Sequence, residues 1–494
     1  MSLVKIDPQG GVTRQGTIYQ IGGRWWDTSL TREYLGNRQP IGSWNARLVS
    51  TLTGSARACI AWRDNNNARF YAVGTHSKLY VATPSLTAMV DITPAGFTAG
   101  RADAISSGGY GSGPYGAGTY GDPRTDTSTT QPASVWTLDT FGQYLVGCMA
   151  GDGKLYEWQL DISTPTVAAA ISGAPTGCVG VVTTPESFLV AIGNGGNFRS
   201  IAWCDQGNET SWMPSSTNQA GSYSLQTQGT LICGKRTRTQ TLLFTDIDVH
   251  LMTYIGLPYV YSVDRVGENC GIIAVGAAAA VDSRCFWMGY NGFYVWDGSS
   301  MQEMPCDVFD AVLGDLNRTQ RSKVTCRVNS QYSEIVWYYP SAASTECDSR
   351  VRYNYLEDKW YLDHNLTLTC GTDRGVYLYP LEVNSSGQVY DAETGASWSQ
   401  TPYFESGPLE DGNGDAITRI SRIIFDEGTA GDIQLTVYAR DWNNGTETTY
   451  GPYVSPNPVS CRIAGRQLRM KVEFLAAGTF GALRFDTPAT GTKR

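Results

Sequence analysis

Six stretches of this chain share one plan: an apolar strand, a tight turn built on glycine or asparagine, and a second strand rich in aromatic residues. ARFYAVGTHSKLYVAT from Ala68, TFGQYLVGCMAGDGKLYEWQ from Thr140, SFLVAIGNGGNFRSIAWC from Ser187 and SRCFWMGYNGFYVWDG from Ser283 show it most plainly. TLICGKRTRTQTLLFTDIDVHLMTYIG from Thr230 repeats it. So does VTCRVNSQYSEIVWYYPS from Val324, with partner strands in RVRYNYLEDKWYLD. Hairpins recurring at intervals of roughly 40–60 residues predict the blades of a β-propeller. One four-stranded blade cannot bury both of its faces, whereas a ring of blades covers every internal face. A large irregular sandwich is the alternative.

Helix signals are few. The best is DVFDAVLGDLN, Asp307 to Asn317, with Val308, Phe309, Val312, Leu313 and Leu316 at helical spacing. From Thr401 onward the hairpin plan fades. ISRIIFDEG, DIQLTVYARDWNNGTETTYGPYV and RQLRMKVEFLAAGTFGALRFD alternate apolar and polar residues, as half-buried antiparallel strands do. The expected architecture is therefore all-β: residues 1–400 a propeller of about six blades, and residues 401–494 a smaller antiparallel β-domain. One more blade closed by the amino-terminal strand is the alternative for the last part.

Charge narrows the function classes. Lys+Arg 37 against Asp+Glu 46 gives a net charge of −9, and only 17% of residues are charged. Wrapping nucleic acid needs clustered Lys and Arg to neutralise phosphate, so the chain is not expected to do it. A wall that DNA slides past fits a negative balance. The opening MSLVKIDPQGGV carries no apolar leader core, and the longest apolar run, GIIAVGAAAAV, is too short to span a bilayer. The 12 cysteines are scattered singly with no CxxC pair, which predicts buried free thiols in a reducing cytoplasm. The Asn-x-Ser/Thr sequons are then chance matches.

Catalytic signals are weak. The 3 histidines, His76, His250 and His364, have no second histidine at a metal spacing, and there is no GxSxG and no P-loop. DGNGD, Asp411 to Asp415, alternates like a calcium loop, but Ala416 replaces the glycine and Arg422 the bidentate glutamate, so a polar turn is expected. SIAWCDQGNETSW, Ser200 to Trp212, resembles the Asp-box of sialidase propellers with too long an Asp-to-Trp interval. No carboxylate pair is singled out for glycoside hydrolysis. Neither catalytic residues, nor a cofactor, nor a metal is expected.

The order VGTHSKLYV…VDITPAG, SSGGYGSGPYGAGTYGDPR, WTLDTFGQYLVG…GKLYEW and SIAWCDQGNETSWMP…NQAGSYSL resembles the large propeller-type tail proteins of short-tailed bacteriophages. LLFTDIDVHLMTYIGLPYVYSVDRVGENCGI, FWMGYNGFYVWDGSSMQEMPCDV and IAGRQLRMKVEF…FGALRFDTPATGTKR continue it, so the resemblance spans most of the chain. GRWWDTSLTREYLGNRQPIGSW fits as the strand and turn before the opening blade. The family comprises tail hub or nozzle proteins, also called packaged-DNA stabilisation proteins.

The resemblance implies a homo-hexameric ring in the virion tail, assembled in the host cytoplasm below the portal and the tail adaptor (head-to-tail connector) protein. Tail fibre or tailspike and tail-tip proteins are the further partners it implies. Double-stranded DNA would pass through the lumen without specific binding, and the chain would insert in no membrane. A carbohydrate-binding or carbohydrate-cleaving propeller of sialidase or lectin type is the alternative; it would need Trp, Tyr and carboxylates around the central opening. A soluble scaffold unrelated to virions is a third.

Two segments need a role in this frame. SSGGYGSGPYGAGTYG, with Tyr-Gly pairs at steps of five, sits in an expected loop insertion at 106–124. Glycine permits close backbone approach and tyrosine supplies packing at modest entropic cost; a flexible linker is the alternative. Phosphate binding there is disfavoured, since the nearest base is Arg124. The carboxyl end is more basic than the rest, with Arg462, Arg466, Arg469, Lys471, Arg484, Lys493 and Arg494. Arg469 and Lys471 share a face by strand periodicity. Arg466, Arg469 and Lys471 are the expected docking residues for an acidic patch on a neighbouring subunit or the adaptor. A solvated strand face is the alternative.

Overall fold

In the computed structural model, residues 2–83, 85–105, 131–161, 167–410, 417–454 and 457–487 are described. Seven four-stranded antiparallel sheets follow one another among them. Blade 1 runs Ala56–Arg63, Arg69–Thr75, Leu79–Ala82, Met89–Asp91. Blade 2 runs Trp136–Phe141, Tyr144–Met149, Leu155–Trp158, Ala169–Ala170. Blade 3 is Gly180–Thr183, Leu189–Asn194, Asn197–Trp203, Gly221–Ser224. Blade 4 is Leu231–Arg236, Thr241–Thr245, Val249–Gly256, Val260–Gly267. Blade 5 is Ala278–Val281, Arg284–Met288, Phe293–Trp296, Met301–Met304. Blade 6 is Thr325–Asn329, Glu334–Tyr339, Ser349–Asn354, Lys359–Asp363.

Blade 7 closes the ring in two pieces. Leu368–Thr372, Leu381–Asn384 and Val389–Gly395 supply three strands, and Ser43–Leu48, from far upstream, pairs with Val389–Gly395 as the fourth. First strands of successive blades touch all the way round, blade 7 against blade 1 included. The chain is a β-propeller, as its hairpins imply. Where the sequence suggested about six blades, the ring holds the six hairpins it read plus this composite seventh.

Tryptophans explain why the blades are so aromatic. Trp136 of blade 2 donates its indole N–H to the Thr75 carbonyl of blade 1 at 3.0 Å. Trp337 of blade 6 does the same to Ala277, beside blade 5, at 3.0 Å. Each ring fills apolar space between blades while its polar end is satisfied by a neighbour's backbone. Gly74 is where Trp136 lands: a Cβ there would lie 2.6 Å from the indole Cδ1.

Two further sheets form the second unit. One orders Ser2–Ile6, Leu483–Thr487, Thr418–Phe425, Val459–Gly465. The other orders Gln9–Val12, Arg24–Ser29, Tyr403–Ser406, Gln467–Phe474, Ile433–Arg440, Thr448–Val454, with Leu409–Glu410 also on Gln467–Phe474. Ile420, Ile423, Phe425, Leu483 and Phe485 of the first share a core with Leu435, Val437, Met470, Val472 and Phe474 of the second. The carboxyl-terminal antiparallel unit is therefore a β-sandwich. The amino-terminal residues, expected in the propeller as part of 1–400, pair here instead: Ser2–Ile6 lies antiparallel to Leu483–Thr487, and Arg24–Ser29 to Tyr403–Ser406. They complete sheets that the carboxyl-terminal strands alone would leave with unpaired edges.

The helix foreseen at Asp307–Asn317 is present as Phe309–Asp315 between blades 5 and 6, with Val308, Val312 and Leu316 buried. No helix among the described residues is long and apolar enough to cross a membrane. The DGNGD turn, the whole Gly/Tyr-rich insertion at 106–124, and Lys493 and Arg494 lie outside the described residues.

Candidate functional site

The first strands of all seven blades face a central cavity of about 240 Å³. Its wall mixes small and apolar residues, among them Ala58, Ile60, Val182, Gly276 and Gly371, with the polar and charged Arg57, Thr137, Asp139, Lys235, Arg236 and Thr325. Gly234 and Gly371 keep the strands close: a Cβ on Gly234 would meet Val182 at 2.7 Å, and one on Gly371 would meet Arg327 at 2.8 Å. Ordinary ligand pockets begin near 300 Å³, so the space is small even for a small ligand and far below the volume of a duplex segment.

A dense charge cluster is buried where blades 6 and 7 meet the hairpin of strands Thr31–Tyr34 and Asn37–Pro40. Arg32 contacts Glu334 at 2.8 Å and Glu393 at 2.5 Å. Arg352 contacts Glu334 at 3.1 Å and Asp363 at 2.7 Å, and Arg350 contacts Asp363 at 2.6 Å. Arg327 pairs with Glu382, which also accepts the Trp44 indole N–H at 2.6 Å. Four guanidinium groups meet four carboxylates, so the cluster is neutral and its acids are engaged. Burial pushes the Glu393 carboxyl up, but the field of Arg32 and its hydrogen bonds win and hold it at about 2. An acid so low cannot serve as a proton donor near neutrality. The cluster is a clasp between blades.

The three histidines occupy unrelated places. His76 accepts the Ser55 backbone N–H at 3.2 Å through Nδ1, and His250 lies 3.2 Å from the Asp248 carboxylate. His364 joins the two units: its Nε2 lies 3.1 Å from Oδ1 of Asp27. Asp27 also takes Arg14 at 2.8 Å and the Tyr403 hydroxyl at 3.0 Å. Among the described residues no group of three His, Cys, Asp or Glu is placed to hold a metal. All 12 cysteines are free. Desolvation pushes thiols such as Cys204 up to about 12, which keeps them protonated and unreactive. The Asp-box-like segment is a structural turn, where Asp205 accepts the Gln219 backbone N–H at 2.8 Å.

Arg469 and Lys471 do lie on one face of the strand Gln467–Phe474, with Leu468, Met470, Val472 and Phe474 on the buried side. Their acidic partners come from the same chain. Arg469 reaches Glu447 at 2.6 Å and also Glu405. Lys471 reaches Glu473 at 2.8 Å and sits 4.5 Å over the Tyr403 ring. Arg466, on the turn before that strand, stacks 4.7 Å over Trp442, which is 62% exposed. Burial raises the Glu405 carboxyl above its ordinary range despite Arg469. The face is a charge-balanced mosaic, and only Arg466 with Trp442 presents an uncommitted edge. Sequence spacing found the basic residues; it had no means of finding Glu405 and Glu447, which arrive from other strands.

A second cationic place was missed altogether. Arg63, Arg69 and Arg374 line a cleft of about 480 Å³ between blades 1 and 7, with Ser330, Val376, Tyr377 and Leu378. Arg374 lies some 300 residues from Arg63 and Arg69, and only ring closure brings blade 7 beside blade 1.

No family model matches this chain, and no curated protein matches it. Solved structures do. A chain from the crystal structure of the mitotic checkpoint complex is 10% identical, with 69% of this chain and 93% of that one covered, at a TM-score of 0.40. The Pan2 WD40 domain of Neurospora crassa is 9% identical over 70% of this chain and 94% of its own, also at 0.40. The N-terminal domain of Nup159 is 11% identical over 78% of this chain and 98% of its own, at 0.36. Likeness at this level carries no function across; the propeller rests on this chain's own seven sheets.

Proposed function

We propose that this chain is a structural subunit of a short phage tail, six copies of which form the hub or nozzle ring below the portal and adaptor. The observation that carries the reading is the ordered run of segments, from Val73 to the carboxyl end, that resembles tail hub proteins. Two features of the molecule support it. The propeller's own cavity, about 240 Å³, is closed to a duplex, so a DNA path needs several copies arranged around a common axis. The buried ionic clasp and the pairing of both terminal regions in one sandwich tie distant parts of the chain together, which suits a part under load.

In this role the ring retains packaged DNA and lets it pass on ejection, and its partners are the adaptor and the fibre, spike or tip proteins of the tail. The wall facing DNA is neutral to acidic, in keeping with the net charge of −9, because cationic contacts would bind phosphate and release counterions. The sugar-binding alternative calls for aromatic and acidic groups around the central opening. Of the residues lining it, Trp136 and Asp139 alone are of those types.

Electrophoresis of the purified protein with duplex DNA, and a glycan array, separate the readings. The hub reading expects no retained DNA at moderate salt and no glycan signal. A tight salt-sensitive DNA complex, or specific glycan binding or turnover, contradicts it.

A further inference from the structure

The cleft at Arg63, Arg69 and Arg374 has charge without a counter-charge. Arg63 donates to the backbone carbonyls of Gly375 and Val376 at 3.1 and 3.2 Å. Arg374 donates to the Gln331 side-chain carbonyl at 3.3 Å, and Arg69 lies 6.0 Å from the Tyr377 ring centroid. Nearby acids face elsewhere. Asp373 accepts the backbone N–H groups of Ser330 and Arg374 at 3.1 and 2.8 Å, and Asp64 those of Asn66 and Ala68 at 2.9 and 2.7 Å. Among the described residues, none of the three guanidinium groups is in an ion pair. At the clasp, by contrast, each guanidinium is matched by a carboxylate.

Tyr377 forms part of the cleft wall and is only 4% exposed. Beside it, Leu378 is 73% exposed and Tyr379 41% exposed. Arginine and tyrosine are enriched at protein-binding hot spots, and Leu378 adds an exposed apolar side chain beside them. Guanidinium forks take carboxylates two bonds at a time.

We infer that this cleft is a docking site for an acidic peptide segment of a partner protein, whose carboxylates pair with Arg63, Arg69 and Arg374 while an apolar side chain covers Leu378. The leucine favours a peptide over nucleic acid, which would have no use for it at a phosphate site. The inference stands apart from the phage-tail reading and survives its failure.

Fluorescence anisotropy of the full chain tests it, using a labelled peptide of alternating glutamate and leucine. The same peptide with glutamine for glutamate, a DNA duplex and inorganic phosphate serve as comparisons. The acidic peptide is expected to bind, to weaken with added salt, and to lose at least tenfold in affinity in the Arg69→Ser, Arg374→Ser variant. Arg63, which braces the loop, is left in place. Lysine at positions 69 and 374 should restore part of the loss, and circular dichroism establishes that the variants fold. No binding, equal binding of the glutamine peptide, or unchanged affinity in the serine variant overturns the inference. So does tighter duplex binding, or retention of phosphate alone.

Discussion

Nε2 of His364, just past the last strand of blade 6, lies 3.1 Å from Oδ1 of Asp27 on a strand of the sandwich. The contact bridges the two units. Burial pushes the His364 imidazole down, but the hydrogen bond and charge of Asp27 outweigh it and hold the group above its ordinary value of 6.5. A raised histidine contributes stability that is complete below the unfolded value, near 6.5, and is lost as pH rises through the folded value. Thermal unfolding followed between about pH 6 and pH 8 should show the sandwich loosening toward the alkaline end. His364→Ala should flatten that dependence; an unaltered profile counts against the bridge.

The clasp behaves in the opposite sense. Glu393, held at about 2 beside Arg32, and Asp363, held lower still between Arg350 and Arg352, have depressed values despite their burial. Their contribution is present above the unfolded carboxylate range, near 4.5, and disappears as pH falls toward 2. Glu393→Gln leaves Arg32 short of one partner and should cost about 3–5 kcal/mol in urea unfolding at neutral pH. The difference from the parent protein should shrink as the acid limb is entered. A cost below 1 kcal/mol at neutral pH would show that the cluster is not a clasp.

Charge reversal on the sandwich face separates its three basic residues. Arg469→Glu sets a third carboxylate against Glu405 and Glu447 and should destabilise the fold by about 1–3 kcal/mol. Arg466→Glu loses only the stacking on exposed Trp442 and should cost less than about 1 kcal/mol. Reversing Arg466, Arg469 and Lys471 together therefore confounds docking with folding. Arg466→Glu alone is the informative variant, and loss of the protein from particles with the monomer still folded would identify a docking contact.

Packing between blades 1 and 2 is tested at Gly74. Alanine there puts a Cβ 2.6 Å from Trp136 Cδ1, and overpacking of this kind costs about 1–3 kcal/mol. Chemical denaturation should show the loss, with tryptophan emission shifted to the red. Wild-type stability would mean that the indole can move aside.

How legible this was depends on distance along the chain. Hairpins are local, so the strand–turn–strand runs at Ala68, Thr140, Ser187, Thr230, Ser283 and Val324 were readable, and each proved to lie within a blade. Blade 7 was not, because its closing strand SWNARL lies at Ser43–Leu48 and pairs with Val389–Gly395 across most of the sequence. The same remoteness hid the partnership of Ser2–Ile6 with Leu483–Thr487. Period-two alternation placed Arg469 and Lys471 on one face, but alternation says nothing about which carboxylates a neighbouring strand will bring. The arginine cleft has no sequence signature, since Arg63 and Arg374 meet only when the ring is shut.

Counting the copies of this chain in the particle that carries it, by mass measurement of the purified tail or by electron microscopy of the virion, tests the account most directly. It predicts about six subunits around one axis, with the DNA path between them and each propeller's narrow cavity off that path. Three or twelve copies, or DNA density running through a single propeller, would contradict it.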